Sequence, residues 1–323
     1  MYTYATSIDQ AIEAIGEFRA GGTDIQERIR SRVTTSPLID IAGIDGLSSV
    51  EVSDEGVSIG ALMTLDELQG HEYLARHYSA LVLPAKTLAT PQARHVATLG
   101  GSLSQRTRCA YYRHPDLGCP KKGGTDECPS RQGEHELGVA YDFGPCVYPH
   151  PSSIGCALLT YDARLAISGR GLVSVEDFFG DGSDVRSDNT LLPGEIITAI
   201  HLPAAVADEK VAYFRHMSRA WAEWPLVEVV VRLNVKDNTV HDAKVAIGAV
   251  ANIPFRLTEV EQVLMSSPLS ADSLARAAKA STTRCKPLRD TGYKVPIIEA
   301  SVLEALELAV NSVGTLSGQT QEP

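Results

Sequence analysis

Positive charge is in short supply in this chain. Its 29 lysines and arginines face 40 aspartates and glutamates, giving a formal net charge of −11 and a sequence pI of about 5.3. A phosphate-backbone partner needs a basic surface, so nucleic-acid binding is excluded as the main role. Also missing is any apolar run near the roughly 20 residues of a membrane span, so no membrane insertion is expected. The opening residues, MYTYATSIDQAIEAIGEF, lack a basic leader, an apolar stretch and a small-residue cleavage site. The expectation is a cytoplasmic protein, or a periplasmic one carried out with a signal-bearing partner. No CxxC pair occurs, which sets aside zinc ribbons and the bacterial ferredoxin run. Neither a P-loop nor a GxGxxG fingerprint is present, and there is no internal repeat.

What remains is ample for a folded core. The chain has 323 residues, 44% of them hydrophobic, which at roughly 100–200 residues per domain suggests two or three domains. Residues 7–18 carry Ile8, Ala11, Ile12 and Ile15 at helical spacing behind a Ser7 cap. A polar stretch runs to Arg32, LIDI at 38–41 reads as a strand, and 50–61 as a hairpin. The segment 90–105 passes from a short helix into a Gly-Gly turn. Residues 152–167 read as a helix followed by a strand. Further on, 216–235 and 240–257 read as paired strands around the DNT turn at 237–239. Three helical patterns follow, within 258–266, 270–281 and 295–313. Strands first and helices after indicate an α+β unit with its helices on one sheet face.

Two glycine turns stand out, AGGTD at 20–24 and TLGGS at 98–102. Paired glycines let a backbone approach a ligand closely and aim N–H groups at phosphate oxygens. Two ordinary tight turns would carry the same letters. Between 106 and 151 periodicity vanishes, and four of the six cysteines, Cys109, Cys119, Cys128 and Cys146, lie in this loop. A loop this long within a compact domain is usually functional. Spacing alone fits an iron–sulfur cluster, a structural zinc or unligated thiols. Arg106, Arg108, Arg113, Lys121 and Lys122 could offset the negative charge of a thiolate cluster. Cys156 and Cys285 read as packed or free thiols. Trp221 and Trp224 suit either a flavin neighbour or a packed core.

In this order, AGGTDI at 20–25, ATLGGS at 97–102, HPSS at 150–153, LLPGEII at 191–197 and SRAWAEWPLVEVVV at 218–231 resemble a known family. It is the FAD-binding medium subunit of the xanthine dehydrogenase and carbon-monoxide dehydrogenase family of molybdenum hydroxylases, matched from about residue 3 to 310. QRTRC at 105–109, followed by Cys119, Cys128 and Cys146, resembles a narrower branch. That branch includes the 4-hydroxybenzoyl-CoA reductase beta subunit and bacterial aldehyde oxidoreductase flavoproteins, and it carries a 4Fe-4S cluster.

The resemblance implies an α+β fold with a two-part FAD-binding domain of the vanillyl-alcohol-oxidase/PCMH-like type. This would span 1–205, with subdomains of about 1–60 and 61–205 and a cluster loop at 106–150. A C-terminal sheet-plus-helices domain would span 210–323. It implies FAD held by Ala20, Gly21, Gly22, Thr23, Asp24 and Ile25 at the pyrophosphate. Thr98, Gly100, Gly101, Ser102 and Ser104 would lie on the phosphate and ribitol side, with Leu192 and its LLPGE neighbours along the ring or adenine. Arg215 stands where the family usually has a lysine facing the flavin, Ser102 where it often has asparagine, and Ser153 where it often has aspartate. The 4Fe-4S cluster would be held by Cys109, Cys119, Cys128 and Cys146. Implied partners are a molybdopterin-binding large subunit, a 2Fe-2S small subunit and an external electron acceptor. No residue of this chain would act on substrate. A stand-alone FAD-dependent reductase and a zinc-stapled interaction subunit without redox function are the competing readings.

Overall fold

A computed structural model describes residues 2–219 and 222–312. Three sheets follow one another along the chain. The first has three parallel strands in the order Tyr2–Tyr4, Leu38–Asp40, Glu17–Arg19. The second is antiparallel, in the order Val50–Ser53, Gly56–Gly60, Ile197–Pro203, Arg164–Ile167, Gly171–Ser174. The third, also antiparallel, runs Phe255–Arg256, Thr239–Gly248, Val227–Lys236, Lys210–His216. Together they form a mixed α and β fold with two domains.

Local sequence explains most elements. Ser7 caps the first helix by accepting the Gln10 N–H, as its position implied. That helix covers only Ile8–Glu13, because Ala14 turns extended and Glu17–Arg19 enters the parallel sheet. The stretch read as merely polar holds a second helix, Ile25–Arg30, whose buried face is Ile25 and Arg28. Thr64 closes a reciprocal capping box with Glu67. The hairpin at 50–60, assigned to the first subdomain in the sequence, pairs through Gly56–Gly60 with Ile197–Pro203 and so belongs to the five-stranded sheet.

Helix Ser153–Thr160 is buried along its whole length. A helix apolar on all sides needs cover on all sides. It finds this between the five-stranded sheet's core and the C-terminal sheet, whose Val230 and Ala246 join the same apolar cluster. On the other face of that C-terminal sheet pack helices Thr258–Met265, Ala271–Ala280 and Lys294–Asn311, around a second core that includes Val229, Val231, Ile298 and Val302. No helix among the described residues is long and apolar enough to cross a membrane.

Candidate cofactor cleft and cysteine loop

The first glycine turn links strand Glu17–Arg19 to helix Ile25–Arg30. A Cβ at Gly21 would overlap the Val96 carbonyl, so the turn lies directly on the backbone leading into the second motif. The two glycine motifs therefore meet, which their separation in sequence could not show. Gly22 takes φ +76, a left-handed conformation that favours glycine. Among the described residues no acceptor takes the N–H groups of Gly21, Gly22 and Thr23. Three backbone donors thus stand free in the wall of a cleft of about 580 Å³.

The second motif differs from its sequence reading. TLGGS is not a tight turn but the start of helix Leu99–Ser104, with Thr98 as its N-cap. Its first N–H groups are already used. Leu99 donates to Met63 O at 2.9 Å, Gly100 to Ala61 O at 2.8 Å and Gly101 to Thr98 Oγ1 at 3.2 Å. Gly100 is packed closely instead, since a Cβ there would stand 3.1 Å from the Ala61 Cβ. This motif shapes the cleft floor rather than offering amides to a ligand.

The cleft is lined by every residue from Ala20 to Ile25, by Thr98, Gly100, Gly101 and Ser104, and by Leu191–Ile197. In the last segment Gly194 has φ +87, and the Glu195 carboxylate accepts the Leu192 N–H at 2.8 Å. The Leu192 side chain projects into the open. Ser102 and Arg215 do not line this cleft. Arg215 is buried in the C-terminal sheet, where its guanidinium donates to Thr87 O at 2.6 Å and Glu223 O at 2.9 Å. Trp224 lies under the Arg108 guanidinium, 4.6 Å from its ring centre; Trp221 lies outside the described residues.

Two buried carboxylates organise the walls. Asp24 receives Arg28 at 3.0 Å, Arg108 at 3.1 Å and Arg113 at 2.6 Å. Burial opposes its ionisation, but Arg108 and Arg113 outweigh it and hold the carboxyl below the usual range. Asp24 therefore faces arginines rather than a phosphate. Asp188 receives Lys121 at 2.8 Å and Arg106 at 2.7 Å. Burial again opposes the charge, and these two cations hold the carboxyl at about 2. Nothing in the sequence singled out Asp188, because its partners lie more than sixty positions away. His150 is buried beside Phe179 with its Nδ1 accepting the Ser152 N–H at 3.2 Å, and burial pushes it down to about 4.

The cysteine loop contains only short elements, helix Ala110–Arg113 and a 3-10 turn at Pro129–Arg131. Its thiols are neighbours. Cys109 feels Cys119 and Cys146, and Cys128 acts on Cys119 and Cys146. Burial pushes Cys109 up to about 12 and Cys146 up to about 11. Among the described residues, no three His, Cys, Asp or Glu side chains stand so as to hold a metal ion. The expected ligand set is thus present as proximity without converging on one point. Buried thiols stay protonated and do not converge unless a cation compensates their ionisation.

The second half of the loop is fastened to the C-terminal domain. Arg289 donates to Gly133 O at 3.0 Å, Tyr293 to Glu136 O at 3.0 Å, the Lys286 N–H to Ala140 O at 2.9 Å and Tyr141 to Ser281 O at 2.5 Å. Lys294 reaches Leu137 O and Ala249 O, both at 3.3 Å, from a buried site that pushes its amine down to about 7.

Comparison with known proteins agrees with this architecture. The FAD binding domain in molybdopterin dehydrogenase matches residues 1–205, and the CO dehydrogenase flavoprotein C-terminal domain matches 212–296. The aldehyde oxidoreductase FAD-binding subunit of Escherichia coli is 31% identical over 256 residues, covering 77% of this chain and 79% of that protein. The carbon monoxide dehydrogenase medium chain of Afipia carboxidovorans is 23% identical, covering 84% and 79%. Among solved structures, carbon monoxide dehydrogenase from Hydrogenophaga pseudoflava superposes with a TM-score of 0.75 at 21% identity, covering 96% of each chain. At that identity the likeness concerns the fold.

Proposed function

The chain belongs to the family of FAD-binding subunits of molybdopterin dehydrogenases, and from that membership we propose that it is the electron-transfer flavoprotein subunit of a molybdenum hydroxylase. As such it is an oxidoreductase subunit. The observation that carries the cofactor assignment is the trio of free amides, Gly21, Gly22 and Thr23, in a cleft large enough for a dinucleotide. These N–H groups would hold the pyrophosphate, as oriented backbone donors do in anion sites. Ala61, Gly100 and Gly101 would form the floor, and Leu192 and Gly194 would cover one side. Bound FAD supplies exchange of single electrons with clusters and of electron pairs with an acceptor. The chain's own contribution is to bind, orient and exclude water.

In this reading the partners are a molybdopterin-bearing large subunit, which sets the substrate, a 2Fe-2S small subunit and an external acceptor. The relatives' descriptions as FAD-binding subunit or medium chain support a multi-subunit assembly over a stand-alone reductase. Aldehyde oxidation is the favoured chemistry of the complex, because the aldehyde oxidoreductase subunit is 31% identical to this chain over 256 residues.

Cys109, Cys119, Cys128 and Cys146 would hold a 4Fe-4S cluster. Ligands to a single zinc must gather about 2.3 Å from one point. The thiols here influence one another's ionisation without gathering at one such point. A cubane spreads its thiolates over its corners and does not require them to meet at one point, so the cluster is the reading we favour. Of the loop's cations, Arg106, Arg108 and Arg113 are paired with Asp188 and Asp24, and Lys121 and Lys122 act on the thiols and would offset the cluster's charge.

The test is an anaerobic visible spectrum of the protein purified with its partners, with iron and flavin analysis of the same sample. Flavin bands above a broad brown absorbance, at about four irons per flavin, are expected. Flavin with zinc and no iron would remove the cluster, and a colourless preparation would overturn the whole assignment.

A further inference from the structure

Residues Cys119–Lys122 form a turn closed by the Lys122 N–H on the Cys119 carbonyl at 3.0 Å. Lys121 lies inside that turn, two residues from a thiol. Its side chain is only 3% exposed and reaches into the cleft wall, where Nζ stands 2.8 Å from Asp188 Oδ1 and also donates to the Ser187 carbonyl. The other Asp188 oxygen takes Arg106 Nε at 2.7 Å. All three side chains line the cleft. Two cations share one carboxylate, which leaves one positive charge over. Buried charges are screened far less than exposed ones.

We propose that Lys121 is a positioning residue for electron transfer, its fixed charge standing in the wall shared by the four-cysteine ring and the FAD cleft and setting the potentials of both centres. This rests on the two-cofactor reading above. Lys121 acts on the ring as well as on the cleft. The Cys119–Lys122 turn holds it beside Cys119 while its amine reaches Asp188 in the cleft wall. The residue comes from the cysteine loop and not from either glycine motif, so the loop contributes to both sites. A fixed cation stabilises the more negative, reduced state of any centre beside it. Removing it makes reduction harder.

The experiment is an anaerobic redox titration of the assembled complex, following the cluster by electron paramagnetic resonance and the flavin by absorbance. Lys121→Met is expected to move both midpoint potentials to more negative values at unchanged iron and flavin content, and Lys121→Arg to restore them. Asp188→Asn removes the anion and is expected to move them the opposite way. Unchanged midpoints in Lys121→Met and Asp188→Asn, or shifts of the same sign, would overturn the proposal. Should Lys121→Met lose its iron, Asp188→Asn, which keeps the lysine, decides by the sign of its shift. A wild-type complex without iron would defeat the cluster reading instead, and the flavin midpoint alone would then decide for Lys121.

Discussion

Arg113 Nη2 lies 2.6 Å from Asp24 Oδ1, and this contact joins the first glycine turn to the cysteine loop across 89 positions of sequence. Arg108 and Arg28 converge on the same carboxylate. Neutralising Asp24 would leave three guanidinium groups crowded without their common anion. Removing one partner of a buried ion pair costs about 3–5 kcal/mol. For Asp24→Asn, which keeps part of the hydrogen bonding, we expect a loss of about 2–3 kcal/mol in urea denaturation. FAD content should fall as well, since the turn that carries the free amides loses its anchor. Full flavin retention in the variant would show that the turn holds its shape without Asp24.

Gly21 is pressed against the Val96 carbonyl, whereas Gly43 has nothing within 4 Å of where its Cβ would stand. Gly21→Ala must push the two glycine motifs apart. We expect FAD affinity to drop by at least about tenfold, equivalent to about 1.4 kcal/mol, with Gly43→Ala unchanged. Equilibrium dialysis with FAD on both variants checks this. Equal affinities would mean that contact between the motifs does not shape the cofactor wall.

How much of this site could be read from the letters depends on how far apart its members lie. Ser7, the hairpin at 50–60 and the three C-terminal helices declare themselves through caps and periodicity over a few residues. The first motif shows its free donors through its paired glycines. The second misleads, because Gly100 and Gly101 look like a turn and stand instead in the first turn of a helix, closely packed by Ala61 and Thr98. Helix Ile25–Arg30 hides because IQERIR buries an arginine where a hydrophobic residue would have marked the face. Asp188 carries no local signal at all. Its importance comes from Lys121 and Arg106, and only the folded chain brings them together.

Two buried groups divide the acid response into separate windows. His150 is held down at about 4 against about 6.5 when exposed. Between those values the unfolded chain binds a proton that the folded one refuses, so stability falls as pH drops from about 6.5 to about 4. Asp188 is held at about 2 against about 3.9 unfolded. Its contribution, about 2–3 kcal/mol, is intact above about pH 4 and is lost as pH falls toward 2. His150→Gln should flatten the upper window alone. Asp188→Asn should be less stable at neutral pH, with the gap to wild type closing only in the lower window. Urea midpoints taken across pH 2–7 test both; a His150 variant with an unaltered upper slope would contradict the first.

The cysteine loop is anchored differently along its length, and losing a ligand should reveal this. Residues 133–141 are tied to the C-terminal domain by Arg289, Tyr293, Lys294, the Lys286 amide and Tyr141. None of these contacts involves the four thiols. Residues 114–131 are held instead within the loop and to residues 186–188, by the Lys122 amine on the His114 carbonyl, Arg131 on Asp142 at 2.8 Å, Arg186 on Asp126 at 2.7 Å and Lys121 on Asp188 at 2.8 Å. A metal-dependent loop gains its order from the ligands it binds. Cys119→Ser should therefore lose iron and raise amide hydrogen exchange across 114–131, while 133–141 keeps its protection. Exchange rising equally in both halves would mean that the C-terminal contacts depend on the filled ring. Protection unchanged in both would mean that the loop folds without any ligand on its cysteines.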